Sequence, residues 1–489
     1  MTRRMTFWFD AAACSGCKAC QVACKDRHGL EVGRSWRRVS EVTGGGWARE
    51  GAAWRHDVFA YHLSISCNHC ERPVCLEGCP AQAIVRRDDG VVLINEEHCL
   101  GCGYCGWSCP YSAPQYRADV GVMSKCSFCV EDLDAGLEPA CVAACPVRAL
   151  GAGDPEELVR LHGSGEATHL PPLPPAELTE PALQMIPHAD HGRSDEPDTE
   201  VSPRPPRGLR EWSLVAFTVL SQMSAGVALV AGALRWWARG LATRPEPPLL
   251  AADLDRLALP AVAGLMALAM VVSLLHLGRP RNVLRAMLNL RQSWLSREIL
   301  LAGLLCGAAL IGWWFGGVLV WLSVPTAILY LGGMMRVYMV RTVPAWHTLM
   351  TPLNFTATAV VLGGLLVNAG LWTVVDRLDF VVSDPVVTAL SLGMILLQFG
   401  VWVFLRFWLG RRLVAQARRR GVLLPTVTRV GAILGALSGL ALALLVASVV
   451  GMLGGLSPLV FAWLALVLAV GAEVGERQAY YSAYERMGV

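Results

Sequence analysis

The sequence predicts an α+β cysteine-rich domain followed by an all-α polytopic membrane bundle of eight transmembrane helices. Sixteen of the seventeen cysteines lie before residue 146, whereas nearly all the long apolar runs lie after residue 210. A hydrophobic fraction of 54 % against only 17 % charged residues is unusual for a soluble chain and implies a part solvated by the lipid bilayer. The formal net charge is +3, and many of the arginines flank apolar segments, where they set membrane topology; no nucleic-acid partner is expected. The expected division is a cysteine domain at 1–152, a proline-rich linker at 153–209 and a membrane domain at 210–489.

The chain opens MTRRMTFWFD and runs into the first cysteine group without an apolar stretch after Arg3 and Arg4, so no export signal is expected; Phe7-Trp8-Phe9-Asp10 reads as a short strand. Four cysteine groups follow: Cys14, Cys17, Cys20 and Cys24; Cys67, Cys70, Cys75 and Cys79; Cys99, Cys102, Cys105 and Cys109; Cys126, Cys129, Cys141 and Cys145. Disulfides suit such close triplets poorly, and zinc places no demand on a cysteine followed by proline. The run C-x2-C-x2-C-x3-C-P is the bacterial ferredoxin pattern, in which three cysteines hold one [4Fe–4S] cluster and the fourth reaches to its neighbour. The third group fits it throughout, and Pro80, Pro110 and Pro146 each follow the last cysteine of a group. A ferredoxin-like domain with four [4Fe–4S] clusters is therefore expected, the first group pairing with the fourth and the second with the third. Ala83-Ile84-Val85 and Val91-Val92-Leu93-Ile94 read as its small hairpins.

In this order, with the second group spaced C-x2-C-x4-C-x3-C-P and the fourth split by an insertion, the groups resemble the electron-transfer subunit of the dimethyl sulfoxide reductase family of molybdenum enzymes, over about residues 5–150. The resemblance implies that Cys14, Cys17, Cys20 and Cys145 hold one cluster, and Cys126, Cys129, Cys141 and Cys24 a second. It likewise implies a third on Cys67, Cys70, Cys75 and Cys109, and a fourth on Cys99, Cys102, Cys105 and Cys79. Some relatives carry tryptophan at the position of Cys102 and a three-iron cluster there; with Cys102 present, four-iron clusters are expected throughout.

The linker is rich in proline and charge, and a disordered spacer is expected, with His188 and His191 lacking partners at ligand spacing. Beyond Trp212, apolar runs near 213–234, 257–277, 298–316, 320–340, 351–372, 385–408, 428–451 and 456–474 are each long enough to span about 30 Å of hydrocarbon. With eight spans both ends of the bundle share one side. That side carries Arg279, Arg281, Arg285, Arg291, Arg341, Arg411, Arg412, Arg418, Arg419 and Arg420, so the cluster domain is expected on the cytoplasmic face of a multi-pass plasma-membrane protein.

The segment HLGRPRNVLRAMLNLRQSWLSREIL at 276–300 joins the second and third spans on the cluster side, with His276 ending one helix and Glu298 beginning the next. Ionisable residues there are candidates for the protons released in quinol oxidation, yet both also complement helix dipoles, and spacing alone leaves the two readings open. REWSLVAFTVLSQ at 210–222, HLGRP with SWLSRE, RTVPAWHTLMTPLNF at 341–355 and GERQAYYSAYERMG at 475–488 resemble the membrane-anchor subunit of the same family. That resemblance implies a quinol site at His276 and Glu298, with Arg279 and Arg297 as candidates for positioning a quinone oxygen. It also implies a separate molybdopterin catalytic subunit and exchange with the menaquinol or other quinone pool. No haem is expected, since only His276 and His347 occur after residue 210; Cys306 reads as a buried apolar residue. Electron flow is open in direction: a quinol-oxidising reductase is one outcome, a cytoplasm-facing sulfite dehydrogenase the other, and a redox-driven ion transporter a remote third.

Overall fold

The computed structural model describes residues 4–163, 166–167, 173–191, 198–199, 212–240, 247–344, 346–377 and 459–482, with isolated positions at 393, 400, 440 and 443. Strand β1 (Thr6–Asp10) is the expected one, and its unbroken apolar run has a cause: it is covered on both sides. In register it pairs antiparallel with Leu150–Gly153 and parallel with Leu183–Ile186. Phe7 stacks on Phe128 at 4.1 Å and Trp8 on His162 at 4.2 Å. A second sheet pairs Arg38–Gly44 with Phe59–Ile65. The expected small hairpin forms between Ile84–Arg86 and Val92–Ile94.

The cysteine groups sit on loops that lead into very short helices: α1 (Ala19–Arg27), α2 (Val74–Gly78), α3 (Tyr104–Ser108), α4 (Val130–Asp134) and α5 (Ala140–Ala143). α1 packs on α5 and α2 on α3. The core between them contains Cys20, Cys24, Cys67, Cys109, Cys126 and Cys141 beside Phe9, Val42, Ile65 and Phe128, so thiols occupy space that apolar side chains fill in other domains.

The first half of the expected linker differs from a featureless spacer. Helix α6 (Pro155–His162), capped by the Asp154 side chain, packs beside the first sheet, and the strand Leu183–Ile186 extends that sheet, with Met185 fully buried. Ala182 donates its amide to the Asn68 carbonyl, and Glu71 and Arg72 donate theirs to Glu180 and Thr179. The remaining stretch falls mostly outside the described residues.

Six helices among the described residues are long and apolar enough to cross a membrane, with spans at Trp212–Trp237, Asp255–His276, Trp294–Phe315, Gly317–Tyr338, Met350–Thr373 and Leu459–Gln478. They belong to α7 (Trp212–Gly240), α8 (Pro247–Ser273), α9 (Trp294–Phe315), α10 (Ser323–Tyr338), α11 (Met350–Arg377) and α12 (Leu459–Ser482). The expected spans at 385–408 and 428–451 lie outside the described residues. α7 is the hub, packed on α8, α10, α11 and α12. It meets α11 where Gly226 lies against the backbone of Ala359 and Gly363, a small-residue crossing that lets two backbones approach.

The cluster domain and the bundle share a core. Trp107 of α3 lies in one apolar cluster with Tyr338, Trp346, Phe355 and Tyr481, meeting Trp346 edge-on at 5.6 Å. Ala286, from the loop between α8 and α9, lies in another with Cys75, Cys99 and Cys105.

Candidate metal centres and the loop beneath them

Local backbone geometry aims each cysteine loop inward. The three C-P groups share one turn: Gln82, Ser112 and Arg148, each three residues after the last cysteine, have φ of 50°, 54° and 50°. Each returns its amide to the carbonyl of that cysteine, Cys79, Cys109 or Cys145. Further amides donate to sulfur, Ala83 to Cys79 at 3.3 Å, Gly101 to Cys99 at 3.3 Å, Phe128 to Cys126 at 3.4 Å and Ala149 to Cys145 at 3.2 Å. Donors of this kind favour thiolate over thiol.

Cys67, Cys70, Cys75 and Cys109 line one cavity, and Cys79, Cys99, Cys102 and Cys105 line another. Cys14 lies within electrostatic reach of Cys17, Cys20 and Cys145, and Cys24 of Cys129 and Cys141, with Cys126 also beside Cys24 and Cys141. The sets follow one another in a line. Cys20 approaches Cys141, Cys126 approaches Cys67, and Cys75 approaches Cys105.

These residues fit a polynuclear iron–sulfur core. Among the described residues no three His, Cys, Asp or Glu side chains converge on a single-ion site. Burial pushes the Cys24 and Cys102 thiols up to about 12, and the positive charge of a bound iron core would act against that shift by favouring thiolate ligands. Buried Arg37 and Lys125 supply compensating charge. Burial disfavours both cations, but the surrounding thiolates outweigh it and hold each above its ordinary range.

The loop between α8 and α9 grips the set nearest the membrane from both sides. Asn289 donates its side-chain amide to the carbonyls of Cys79 at 2.9 Å and Glu77 at 3.3 Å, and its backbone amide to Pro80 at 3.2 Å. Ser293 donates its hydroxyl to the Gly78 carbonyl at 3.0 Å while capping α9 by accepting the Ser296 amide at 3.4 Å. On the other side Asn282 donates to the carbonyls of Glu97 at 2.8 Å and Cys99 at 3.1 Å, and the Arg279 amide donates to Leu100 at 3.0 Å. Gly278 seats against Gly101 and Gly121, backbone on backbone. From the neighbouring elements, Tyr104 donates to the Val337 carbonyl at 3.0 Å and Thr342 to Ser108 at 2.7 Å. Asn282, Asn289, Ser293 and Tyr104 were not among the sequence candidates; for the first three, uncharged polar side chains in a loop otherwise apolar and basic were the available signal.

Glu298 lies one turn past the Ser293 cap and is only 2 % exposed. Among the described residues its Oε1 has no hydrogen-bond partner, and Nδ1 of His276, which ends the 3-10 turn Leu274–His276 on the same loop, has no side-chain partner, with the Ser273 backbone beside the ring. The Glu298 carboxylate lies within electrostatic reach of Tyr330, Tyr338 and, across the domain boundary, Tyr104, whose phenol is pushed up first by burial and then by that carboxylate. Both candidate arginines donate to backbone carbonyls. Arg279 donates to the carbonyls of Glu96 at 2.8 Å and Val120 at 3.1 Å, which makes it a clamp on the cluster domain. Arg297 donates to Leu290 at 2.9 Å and Arg291 at 2.6 Å and lies over the Trp294 ring.

A polar network that sequence reasoning undervalued continues inward. The Tyr338 and Tyr481 hydroxyls hydrogen-bond to each other, Arg477 donates to Gln222 at 2.8 Å, and Thr358 donates to Glu473 at 3.0 Å.

The family of the DMSO reductase anchor subunit (DmsC) matches residues 206–482, and a 4Fe-4S dicluster domain matches residues 58–155. The probable anaerobic dimethyl sulfoxide reductase protein YnfG of Escherichia coli (strain K12) is 45 % identical over 190 residues, covering 39 % of this chain and 92 % of that protein. The B subunit of anaerobic dimethyl sulfoxide reductase from the same organism gives the same figures of 45 %, 39 % and 92 %. The formate dehydrogenase iron-sulfur subunit of Wolinella succinogenes is 35 % identical over 194 residues, covering 34 % of this chain and 92 % of that protein. The chain thus belongs to the DMSO reductase anchor subunit family through its membrane part, fused in one polypeptide to an iron–sulfur subunit of the anaerobic dimethyl sulfoxide reductase type.

Proposed function

We propose that this chain relays electrons between a membrane quinol, bound at Glu298 and His276, and a separate molybdopterin catalytic subunit, through four [4Fe–4S] clusters held by its sixteen N-terminal cysteines. The observation that carries the reading is the buried Glu298 Oε1, without a partner among the described residues, with His276 Nδ1 lacking a side-chain partner on the loop that clamps the Cys79, Cys99, Cys102 and Cys105 set. A quinol ring supplies the hydroxyl that Glu298 Oε1 lacks and a second one within reach of the His276 ring. When bound, the clusters supply one-electron chemistry, which splits the two-electron oxidation of quinol into single steps.

The protein's own part is to bind, orient and take up protons. Glu298 accepts a quinol proton at Oε1 and His276 a hydrogen bond or proton at Nδ1. Arg279, Asn282 and Asn289 hold the membrane-proximal cysteines against that site. Tyr104, bonded to the Val337 carbonyl, fixes α3 over α10. The arginines of the clamping loop, Arg279, Arg281, Arg285 and Arg291, support a cytoplasmic position for the cluster domain; Arg411, Arg412 and Arg418–Arg420 lie outside the described residues.

The relatives named for dimethyl sulfoxide reductase support a quinol-oxidising reductase, and no observation favours the sulfite dehydrogenase reading. Membranes holding the chain with its co-purifying molybdopterin subunit are mixed with a reduced menaquinone analogue. The visible iron–sulfur absorbance is expected to bleach and to recover on adding dimethyl sulfoxide. Bleaching by sulfite and none by the quinol would overturn the reading.

A further inference from the structure

Two cations buried among the thiols have a placement that charge compensation alone does not explain. Lys125, 4 % exposed, forms part of the wall of the cavity lined by Cys67, Cys70, Cys75 and Cys109. It also donates to the Cys126 carbonyl at 3.3 Å, so it bridges the third cysteine set and the second. Arg37, 2 % exposed, donates to Ser64 Oγ at 3.2 Å, and that hydroxyl meets Cys20 Sγ at 3.5 Å. Its guanidinium lies 4.7 Å above the Phe7 ring, which stacks on Phe128 inside the Cys126–Cys129 stretch, so it bridges the first set and the second. Among the described residues neither cation has a carboxylate partner; Lys125 donates to the Val92 and Cys126 carbonyls and Arg37 to Ser64 and Ser66, with cysteine sulfurs close to both. Besides its cysteines, the cavity of Cys79, Cys99, Cys102 and Cys105 is lined by Pro80, two alanines, two isoleucines and Leu100, with no charged side chain among the described residues.

Burying an uncompensated charge is costly. A cation that lies between two sites is stabilised by negative charge on either, and by the same interaction each site gains an electron more readily. It also offsets the repulsion between electrons on neighbouring sites, which is poorly screened inside a protein.

We propose that Lys125 and Arg37 are junction cations of the electron path, fixed positive charges that raise the reduction potentials of the sites on both sides of them and leave the membrane-proximal site without such a neighbour. The consequence is a path whose inner sites can hold electrons together, filled from a quinol-side site of lower potential. The inference rests on the four-cluster reading given above.

The test is a redox titration of the full holo-chain in membranes, followed by electron paramagnetic resonance with iron analysis alongside; the membrane-proximal signal is assigned with Cys102→Ser. Lys125→Met is expected to lower the midpoints of the second and third sites together and leave the membrane-proximal one in place. Arg37→Met is expected to lower those of the first and second. Lys125→Arg and Arg37→Lys are expected to stay close to wild type. A Met variant that loses iron is replaced by Lys125→Gln or Arg37→Gln, read the same way. Full iron content with unchanged midpoints, or with one uniform shift across all sites, overturns the junction role. A wild-type chain with fewer than four clusters overturns the four-cluster reading instead.

Discussion

Cys102 illustrates how much one side chain decides. It lies on the cavity wall with Cys79, Cys99 and Cys105, one residue before the positive-φ Gly103 that starts α3. Cys102→Ser is expected to alter a single paramagnetic signal and to block reduction by quinol, while dithionite still reduces the other sites. Loss of all signals together would contradict a linear arrangement of independent sites. Asn289 acts without touching sulfur. Asn289→Ala leaves the carbonyls of Glu77 and Cys79 without its donors, at a cost of about 1–3 kcal/mol. It should lower the temperature at which quinol-driven bleaching is lost, with the iron content unchanged. At this scale the cysteines were legible because an inorganic core dictates their spacing. The carbonyl contacts of Arg279 and Arg297 were not legible, since a sequence does not say which carbonyls will accept a guanidinium.

The loop between α8 and α9 is the element on which the site depends. Its 3-10 segment Pro280–Met287 and the Ser293 cap set Asn282 and Asn289 on the two sides of the membrane-proximal cysteine set and place Glu298 at the start of α9 beside it. A methyl group at Gly278 would collide with the Gly121 carbonyl, so Gly278→Ala must lift the loop from the cluster domain. Dithionite reduction is expected to stay complete, whereas quinol-driven reduction slows; an unchanged quinol rate would show that the backbone seat is dispensable. In the strand Leu183–Ile186 the sequence signal was drowned by its setting. Four residues of weak alternation amid prolines and acids do not announce a partner for β1, and only the long-range pairing with Phe7–Asp10 shows why they belong to the domain. The hairpin at 84–94 was easy by contrast, because its two strands are adjacent in sequence and mostly apolar.

For the molecule as a whole, two parts with different stabilising forces meet at a shared core. Cysteines replace much of the apolar filling of the N-terminal domain, so removing iron with a strong chelator under reducing conditions is expected to unfold residues 4–163 and leave the membrane helices intact. Far-ultraviolet circular dichroism and a protease ladder check this; an unchanged protease pattern after iron loss would contradict it. Trp107 belongs to the bundle's core as much as to its own domain. Trp107→Ala should cost about 3–5 kcal/mol of packing and release the holo cluster domain from the bundle, seen as new cleavage in the linker without loss of iron. The two-part architecture was legible from composition and cysteine density. The docking was not, because Trp107, Trp346 and Tyr481 are far apart in the sequence and none carries a pattern that pairs it with the others.

The most direct measurement is rapid-freeze electron paramagnetic resonance on wild-type and Glu298→Gln membranes mixed with a reduced menaquinone analogue. The wild-type clusters should be reduced within the first frozen time points. In Glu298→Gln the same signals should grow about 10²–10⁴ times more slowly, although dithionite reduces them fully and iron content matches wild type. Equal rates in the two proteins would contradict a quinol site at Glu298.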